Sequence, residues 1–298
     1  MISSHPRIAL AQYSLQNHKS FAAWRDNISS WVGDAVANDS QLLVFPEYCS
    51  TDLAGVANPS GHANANDLIL DVQKYHDDYL GVFSDLASKH RVYIVAGTFA
   101  CREGDKHFNR SYFVGPNGKY AHQDKLILTR FEREKTFLSA GEDITIFETE
   151  FGKSGIAVCF DVQHPLIIRK LSEAGCNLLI VPSCTGSMAG YNRVKIGCQA
   201  RALESQMAVV HSVTVGDASW QPIADTNHGA AAIFAPPDSG FPETGIIASG
   251  DIDQPGWVYA NLDFSAYLDV RENGHVLNWK TWREQESILP RPIKHANL

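Results

Sequence analysis

A cysteine at the end of an apolar run acts as a nucleophile only when something takes its proton. Gly155-Ile-Ala-Val-Cys159-Phe-Asp161 reads as a buried strand that ends on such a thiol, with a helix predicted after it. That is where α/β proteins gather their chemistry. A free thiol is mostly protonated near neutral pH, so a catalytic Cys159 needs a base or a cation beside it. Histidine is the usual partner. Of the twelve histidines, His164, His211 and His228 fall at strand ends or in loops, and spacing alone leaves a Cys–His pair open. Glu47 is the competing base. It follows a buried strand, Gln41-Leu-Leu-Val-Phe45, and Pro46; partial desolvation there raises a carboxyl pKa toward the working pH, which suits a general base. Lys125 follows a hairpin, where a lysine is ordinarily solvated. Beside a thiolate it would stabilise that charge and a developing oxyanion.

The elements that must position these groups alternate along the chain. Arg7–Gln12 reads as a strand. Ser20 caps a helix whose apolar residues Phe21, Trp24, Ile28, Trp31, Val32 and Ala35 share one face. Residues 49–62, rich in Gly, Pro, Asn and Ser, read as a loop. A second helix is expected over roughly 66–89, then a strand over Val92–Ala96 ended by Gly97. Pro116-Asn-Gly118 marks a hairpin turn. Residues 126–143 read as irregular, and 144–148 with 155–159 as a strand pair around Gly152. Beyond Cys159 we expect a helix over 166–174 with Gly175 as its cap, a strand over 177–181 and a helix over 190–206. Strands follow at 208–215, 230–234, 245–248 and 257–262. The tail from about residue 273 reads as an extended arm of one domain spanning 1–298. Helices alternating with strands and hairpins suggest sheets covered by helices on one face each. Leu42-Leu-Val-Phe-Pro46 also echoes Leu178-Leu-Ile-Val-Pro182. Two similar halves would turn both strand ends into a shared cleft, with Ser183, Cys184 and Tyr191 as lining candidates, and Tyr48 and Trp220 as weaker ones.

Composition excludes several classes. The 298 residues are 44% hydrophobic, enough for a sizeable core. The net charge of −8 argues against a nucleic-acid surface. The start, Met1-Ile-Ser-Ser-His-Pro-Arg7, lacks the pattern of a targeting signal. No apolar run approaches the roughly 18 residues of a membrane span, so a cytoplasmic protein with neither membrane nor nucleic-acid partner is expected. The six cysteines contain no Cys-x-x-Cys, and Cys101, Cys176 and Cys198 read as small buried hydrophobes. No phosphate-binding glycine motif occurs. Asp161 and Asp217 form no metal-binding spacing with the histidines. We expect no cofactor and no metal.

Three segments together resemble the nitrilase, or carbon–nitrogen hydrolase, superfamily: Leu-Val-Phe-Pro-Glu47, His-Gln-Asp-Lys125-Leu and Ile-Ala-Val-Cys159-Phe-Asp. The likeness extends to Leu-Leu-Ile-Val-Pro-Ser183 and Gln199-Ala-Arg-Ala-Leu-Glu204. Its look is nearest the branch sometimes fused to an acetyltransferase domain. The resemblance implies that Cys159 attacks a carbonyl or nitrile carbon, that Glu47 is the base, and that Lys125 with the backbone N–H of Phe160 holds the oxyanion. It also implies a second glutamate, for which Glu134 aligns best and Glu132 next, and a homodimer or larger assembly. The expected fold is an α/β four-layer α-β-β-α sandwich. The expected activity is hydrolysis of a non-peptide carbon–nitrogen bond in a small molecule, most simply an amide, with nitriles and N-carbamoyl groups next. A non-catalytic relative that binds a small acid or amide, and a Cys–His thiol hydrolase, are the contrasting readings. Relatives often carry Pro-Glu shortly after the Cys-x-Asp. This chain has Val162-Gln-His164-Pro165 instead, which makes His164 a further pocket candidate.

Overall fold

A computed structural model describes residues 5–298; Met1–Ser4, read above as part of a start without a targeting signal, lie outside them. The first half of the chain builds β1 (Arg7–Ser14), α1 (Phe21–Ala37), β2 (Leu42–Phe45), α2 (Ala54–Ala57), α3 (Ala65–Val72) and α4 (His76–His90). After these come β3 (Tyr93–Glu103), β4 (Lys106–Val114), β5 (Tyr120–Asp124), α5 (Arg130–Lys135) and β6 (Leu138–Ser139). The second half adds β7 (Phe147–Thr149), β8 (Gly152–Ile156), α6 (Pro165–Glu173), β9 (Leu178–Ser183), α7 (Met188–Ser205) and β10 (Ala208–Asp217). The chain continues through β11 (Thr226–Asn227), β12 (Ala232–Phe234), β13 (Ile246–Ser249), β14 (Gly256–Asn261), α8 (Phe264–Asn273) and α9 (Asn278–Thr281).

The main strand path runs β5-β4-β3-β2-β1-β10-β9-β8-β7. Within each half the inner strands are parallel, β1 with β2 and β8 with β9. The strand path passes from one half to the other where β1 pairs with β10 over three residues, Gln12–Ser14 against Val213–Val215. Strand alternation shows how the layers form. Ala9, Ala11 and Tyr13 of β1, with Leu43 and Phe45 of β2, pack outward on Trp24, Ile28 and Val32 of α1 and Tyr79 and Phe83 of α4. Ile8, Leu10, Leu42 and Val44 point the other way and join one core with β8, β9 and β10, which α6 and α7 cover. The expected sandwich holds, with the refinement that its two sheets join along one short seam.

Several local expectations are corrected. Gly97 does not end a strand: β3 runs through it, with a register shift between Val95 and Thr98. Its φ of 60° suits a bulge in which only glycine fits, since a Cβ would lie 2.2 Å from the Pro46 carbonyl oxygen. Residues 49–57, read as loop, form buried helical turns held by Asp52, which accepts from Tyr13 and the Gln16 N–H. The expected single helix over 66–89 breaks into α3 and α4 at a 3-10 turn over Gln73–Tyr75. The segment 126–143 contains α5, started by a Thr129–Glu132 capping box. The tail is an arm only at its end: Trp279 of α9 donates to Ser172 and accepts from Arg169, whereas residues 288–298 are exposed. No helix among the described residues is long and apolar enough to cross a membrane.

Candidate active site

The two echoed strands end side by side. β2 hands the chain to Pro46 and Glu47, then to Tyr48 with φ 59°. β9 runs on through Pro182 to Ser183. The Cys184 N–H donates to Glu47 Oε2 at 3.0 Å, so the carboxylate at one strand tip is held by the backbone beyond the other. Cys159 is not on a strand. β8 stops at Ile156, and Cys159 opens a 3-10 turn over Cys159–Gln163 at φ 49°. Left-handed backbone at a non-glycine residue costs roughly 1–3 kcal/mol and persists where its surroundings over-determine it. Here Asp161 supplies the restraint. Its carboxylate accepts from the backbone N–H groups of Val158, Leu126 and Ile127, tying the Cys159 turn to the strand exit that carries Lys125. Arg201 of α7 donates to the Val162 carbonyl from the other side.

Lys125 Nζ lies 2.7 Å from Glu47 Oε1 and 2.8 Å from Glu132 Oε2, with all three side chains 1% exposed. Glu132 Oε1 also accepts from Tyr48 Oη at 2.7 Å and Asn109 Nδ2 at 3.1 Å, while Asn109 Nδ2 reaches Glu47 Oε1 at 2.9 Å. Thr129 donates to Glu132 through both its N–H and its hydroxyl. Ser183 Oγ donates to Cys159 Sγ at 3.2 Å, and the thiol donates to the Cys184 carbonyl oxygen at 3.7 Å.

Burial pushes the Glu47 carboxyl above its usual range against the opposing Lys125 charge. Glu132 is also buried, but the Lys125 charge and its hydrogen bonds hold it down at about 2. Burial would lower the Lys125 pKa; the charges of Glu132 and Glu47 instead raise it well above the ordinary value. Burial and the neighbouring Glu47 raise the Cys159 thiol, with Lys125 and Ser183 opposing. The site therefore holds an ammonium between two acids and a protonated thiol next to the one of higher pKa.

Glu134 is not part of this arrangement. It is exposed and pairs with Arg130 at 2.7 Å one helical turn away. Its neighbour Glu132 points inward because the capping box places its side chain back over Thr129 and so toward Lys125. Thr129-Arg-Phe-Glu132 is readable in the sequence as a capping signature, and that signal separates the two glutamates where alignment did not. Asn109 had no comparable signal, since its role depends on the register of β3, β4 and β5.

Above these groups opens a cavity of about 640 Å³, lined by Glu47, Tyr48, Lys125, Glu132, Cys159, Phe160 and Cys184 at its base. Residues of α5, of the start of α7 and of the 222–226 loop form its walls. Of the pocket candidates, Tyr48 and Cys184 line it and Ser183 lies directly behind Cys159. His164, Tyr191 and Trp220 do not line it. His164 turns back on the Phe160 carbonyl, and Tyr191 stacks on the buried His211 beneath α7. No histidine is among the lining residues, and His228 pairs with Asp253. Among the described residues no cluster of side chains is arranged to hold a metal ion.

Known proteins share this framework. A probable hydrolase of Bacillus subtilis (strain 168), YhcX, is 31% identical over 277 residues, which are 93% of this chain and 53% of that protein. The chain thus spans about half the length of that relative. The omega-amidase NIT2 of Danio rerio is 23% identical over 278 residues, covering 89% of this chain and 91% of that one. The crystal structure of Saccharomyces cerevisiae Nit3, a member of branch 10 of the nitrilase superfamily, superposes with a TM-score of 0.71 at 22% identity, covering 91% of this chain and 94% of that one. The carbon–nitrogen hydrolase family model matches residues 7–253, a range that includes Glu47, Lys125 and Cys159. On that match the chain belongs to the carbon–nitrogen hydrolase family.

Proposed function

We propose that this chain hydrolyses the carbon–nitrogen bond of a small amide through a thioester on Cys159. The observation that carries the reading is the buried Lys125 ammonium between Glu47 and Glu132, at the base of the cavity that Cys159 lines. Such a set has a division of labour. Glu47 takes the thiol proton as sulfur attacks the carbonyl carbon, so the buried thiolate need not exist before substrate arrives. The oxygen that becomes negative is met by the Lys125 ammonium and the backbone N–H of Phe160. The carbon–nitrogen bond then breaks, and Glu47 returns its proton to the leaving nitrogen, which departs as ammonia or an amine. In the second half Glu47 takes a proton from water, whose oxygen attacks the thioester. The carbon–sulfur bond breaks, the acid leaves, and Cys159 recovers its proton. Glu132 takes no proton in this scheme: with its pKa near 2 it remains a counter-charge that keeps Lys125 protonated and aimed.

The test is intact mass after exposure to a panel of small amides. Wild type is expected to carry an acyl adduct on Cys159 and to release ammonia, whereas Cys159→Ala does neither while keeping its thermal unfolding profile. Ammonia release by Cys159→Ala at the wild-type rate would sink the proposal.

A further inference from the structure

Cys101, expected from its sequence context to be a small buried hydrophobe, is buried on β3 but has polar neighbours. His76, the first residue of α4, places Nε2 3.5 Å from the Cys101 sulfur. Its other ring nitrogen, Nδ1, lies 2.9 Å from Asp77 Oδ1. A carboxylate only accepts, so Nδ1 carries the proton and Nε2 of the neutral ring is left as an acceptor. Tyr112 Oη, on β4, lies 2.7 Å from the same Nε2. Arg110, also on β4, binds Asp124 through Nε and Nη2 and Glu103 through Nη2. Its remaining nitrogen, Nη1, faces the Cys101 sulfur at 3.9 Å.

The thiol therefore has a base beside it, a carboxylate orienting that base, and a guanidinium N–H at the sulfur. That combination activates a nucleophilic cysteine. None of these residues lines the cavity above Cys159. Burial pushes the Cys101 thiol up, but His76, Tyr112 and Arg110 outweigh it and bring the thiol below its ordinary value. Burial carries Cys49 and Cys176 up to about 12. His76, Asp77 and Arg102 line a separate surface recess of about 380 Å³. A small reagent can reach the imidazole there, while 3% exposure of Cys101 shuts out a bulky thiol or disulfide.

We infer that Cys101 is a second reactive thiol, set up by His76 and Arg110 for oxidation by small hydroperoxides. With hydrogen peroxide, His76 takes the thiol proton and the thiolate attacks one peroxide oxygen. A sulfur–oxygen bond forms as the oxygen–oxygen bond breaks. The departing hydroxide takes the proton back from His76 and leaves as water. Sulfur is oxidised by two electrons to a sulfenic acid, and the peroxide is reduced. This chemistry is independent of the amide reaction proposed for Cys159.

The test exposes the whole chain to hydrogen peroxide with dimedone present, which traps sulfenic acids, and maps the adducts by peptide mass. In wild type, Cys101 is expected to be trapped more than about tenfold faster than Cys49 or Cys176, since one pKa unit is tenfold in thiolate. His76→Gln should slow trapping at Cys101 about tenfold and leave Cys176 as it was. Faster trapping at Cys176 in that variant would report an opened fold, and the wild-type order then decides alone. Trapping at Cys101 no faster than at Cys176 in wild type overturns the inference, as does an unchanged Cys101 rate in folded His76→Gln.

Discussion

Lys125 Nζ lies 2.7 Å from Glu47 Oε1 in a site where both side chains are 1% exposed. A buried ion pair of this kind carries a desolvation cost that makes it a poor stabilising device. Its value here lies in what it prevents: Glu47 cannot be so strongly neutralised that it stops accepting protons, because Glu132 shares the same ammonium.

Glu47→Gln removes the base and keeps the shape. We expect turnover to fall by a factor of about 10² to 10⁴, the usual contribution of a positioned base, with no thioester detectable by intact mass. Because burial raises Glu47 above 4.5, and only its carboxylate accepts the thiol proton, wild-type kcat/KM should decline as pH falls through a value above 4.5. Rapid accumulation of a stable acyl-enzyme in Glu47→Gln would contradict the assignment.

Glu132 and Glu134 offer a paired comparison two residues apart. Glu134→Gln touches an exposed ion pair and should change activity and stability little, within about 0.5 kcal/mol. Glu132→Gln strips Lys125 of one of its two carboxylates, and kcat should fall about a hundredfold. Its pKa, held at about 2 in the folded chain against 4.5, also makes a signed prediction. The stability it contributes is fully present above about 4.5 and is lost as pH falls toward about 2. Glu132→Gln should therefore flatten the acid limb of a stability-versus-pH curve, and equal effects of the two variants would refute the distinction.

Ser183 donates to the Cys159 sulfur at 3.2 Å, which favours the thiolate. Ser183→Ala should shift the pH profile of Cys159 alkylation upward by about one unit and slow inactivation by iodoacetamide near neutral pH. A profile that stays in place would show that this contact has no influence on the thiol.

Gly97→Ala probes the support beneath Glu47. An added Cβ would fall 2.2 Å from the Pro46 carbonyl oxygen and 2.4 Å from Cys49 Sγ, at a φ of 60° that alanine resists. We expect a loss on the order of 3 kcal/mol, seen in denaturant unfolding, together with reduced activity from a displaced Glu47. Wild-type stability would mean that the bulge in β3 relaxes freely.

Much of this protein was legible before any coordinate. Apolar runs ending in Pro46 and Pro182 marked two buried strand tips, because a run of that length with no polar face has no solvent side to offer. Glu47 reads as a base just past the first of these tips, Cys159 as a thiol ending another apolar run, and Lys125 as the residue beyond a hairpin. What was misread depended on contacts between segments distant in sequence. Cys159 sits in a turn and not at a strand end because Asp161 takes three backbone N–H groups, two of them from residues 126 and 127. Gly97 continues a strand because Pro46 and Cys49 crowd it.

Local patterning set which residues are buried and where each element starts, since these follow from side-chain periodicity and capping within a few residues. The placement of Asn109 between two glutamates and the meeting of Lys125 with Glu47 and Glu132 were decided by tertiary structure. Each depends on how strands and helices far apart in the chain register against one another, and pairing across such distances leaves no mark in the spacing of a single segment.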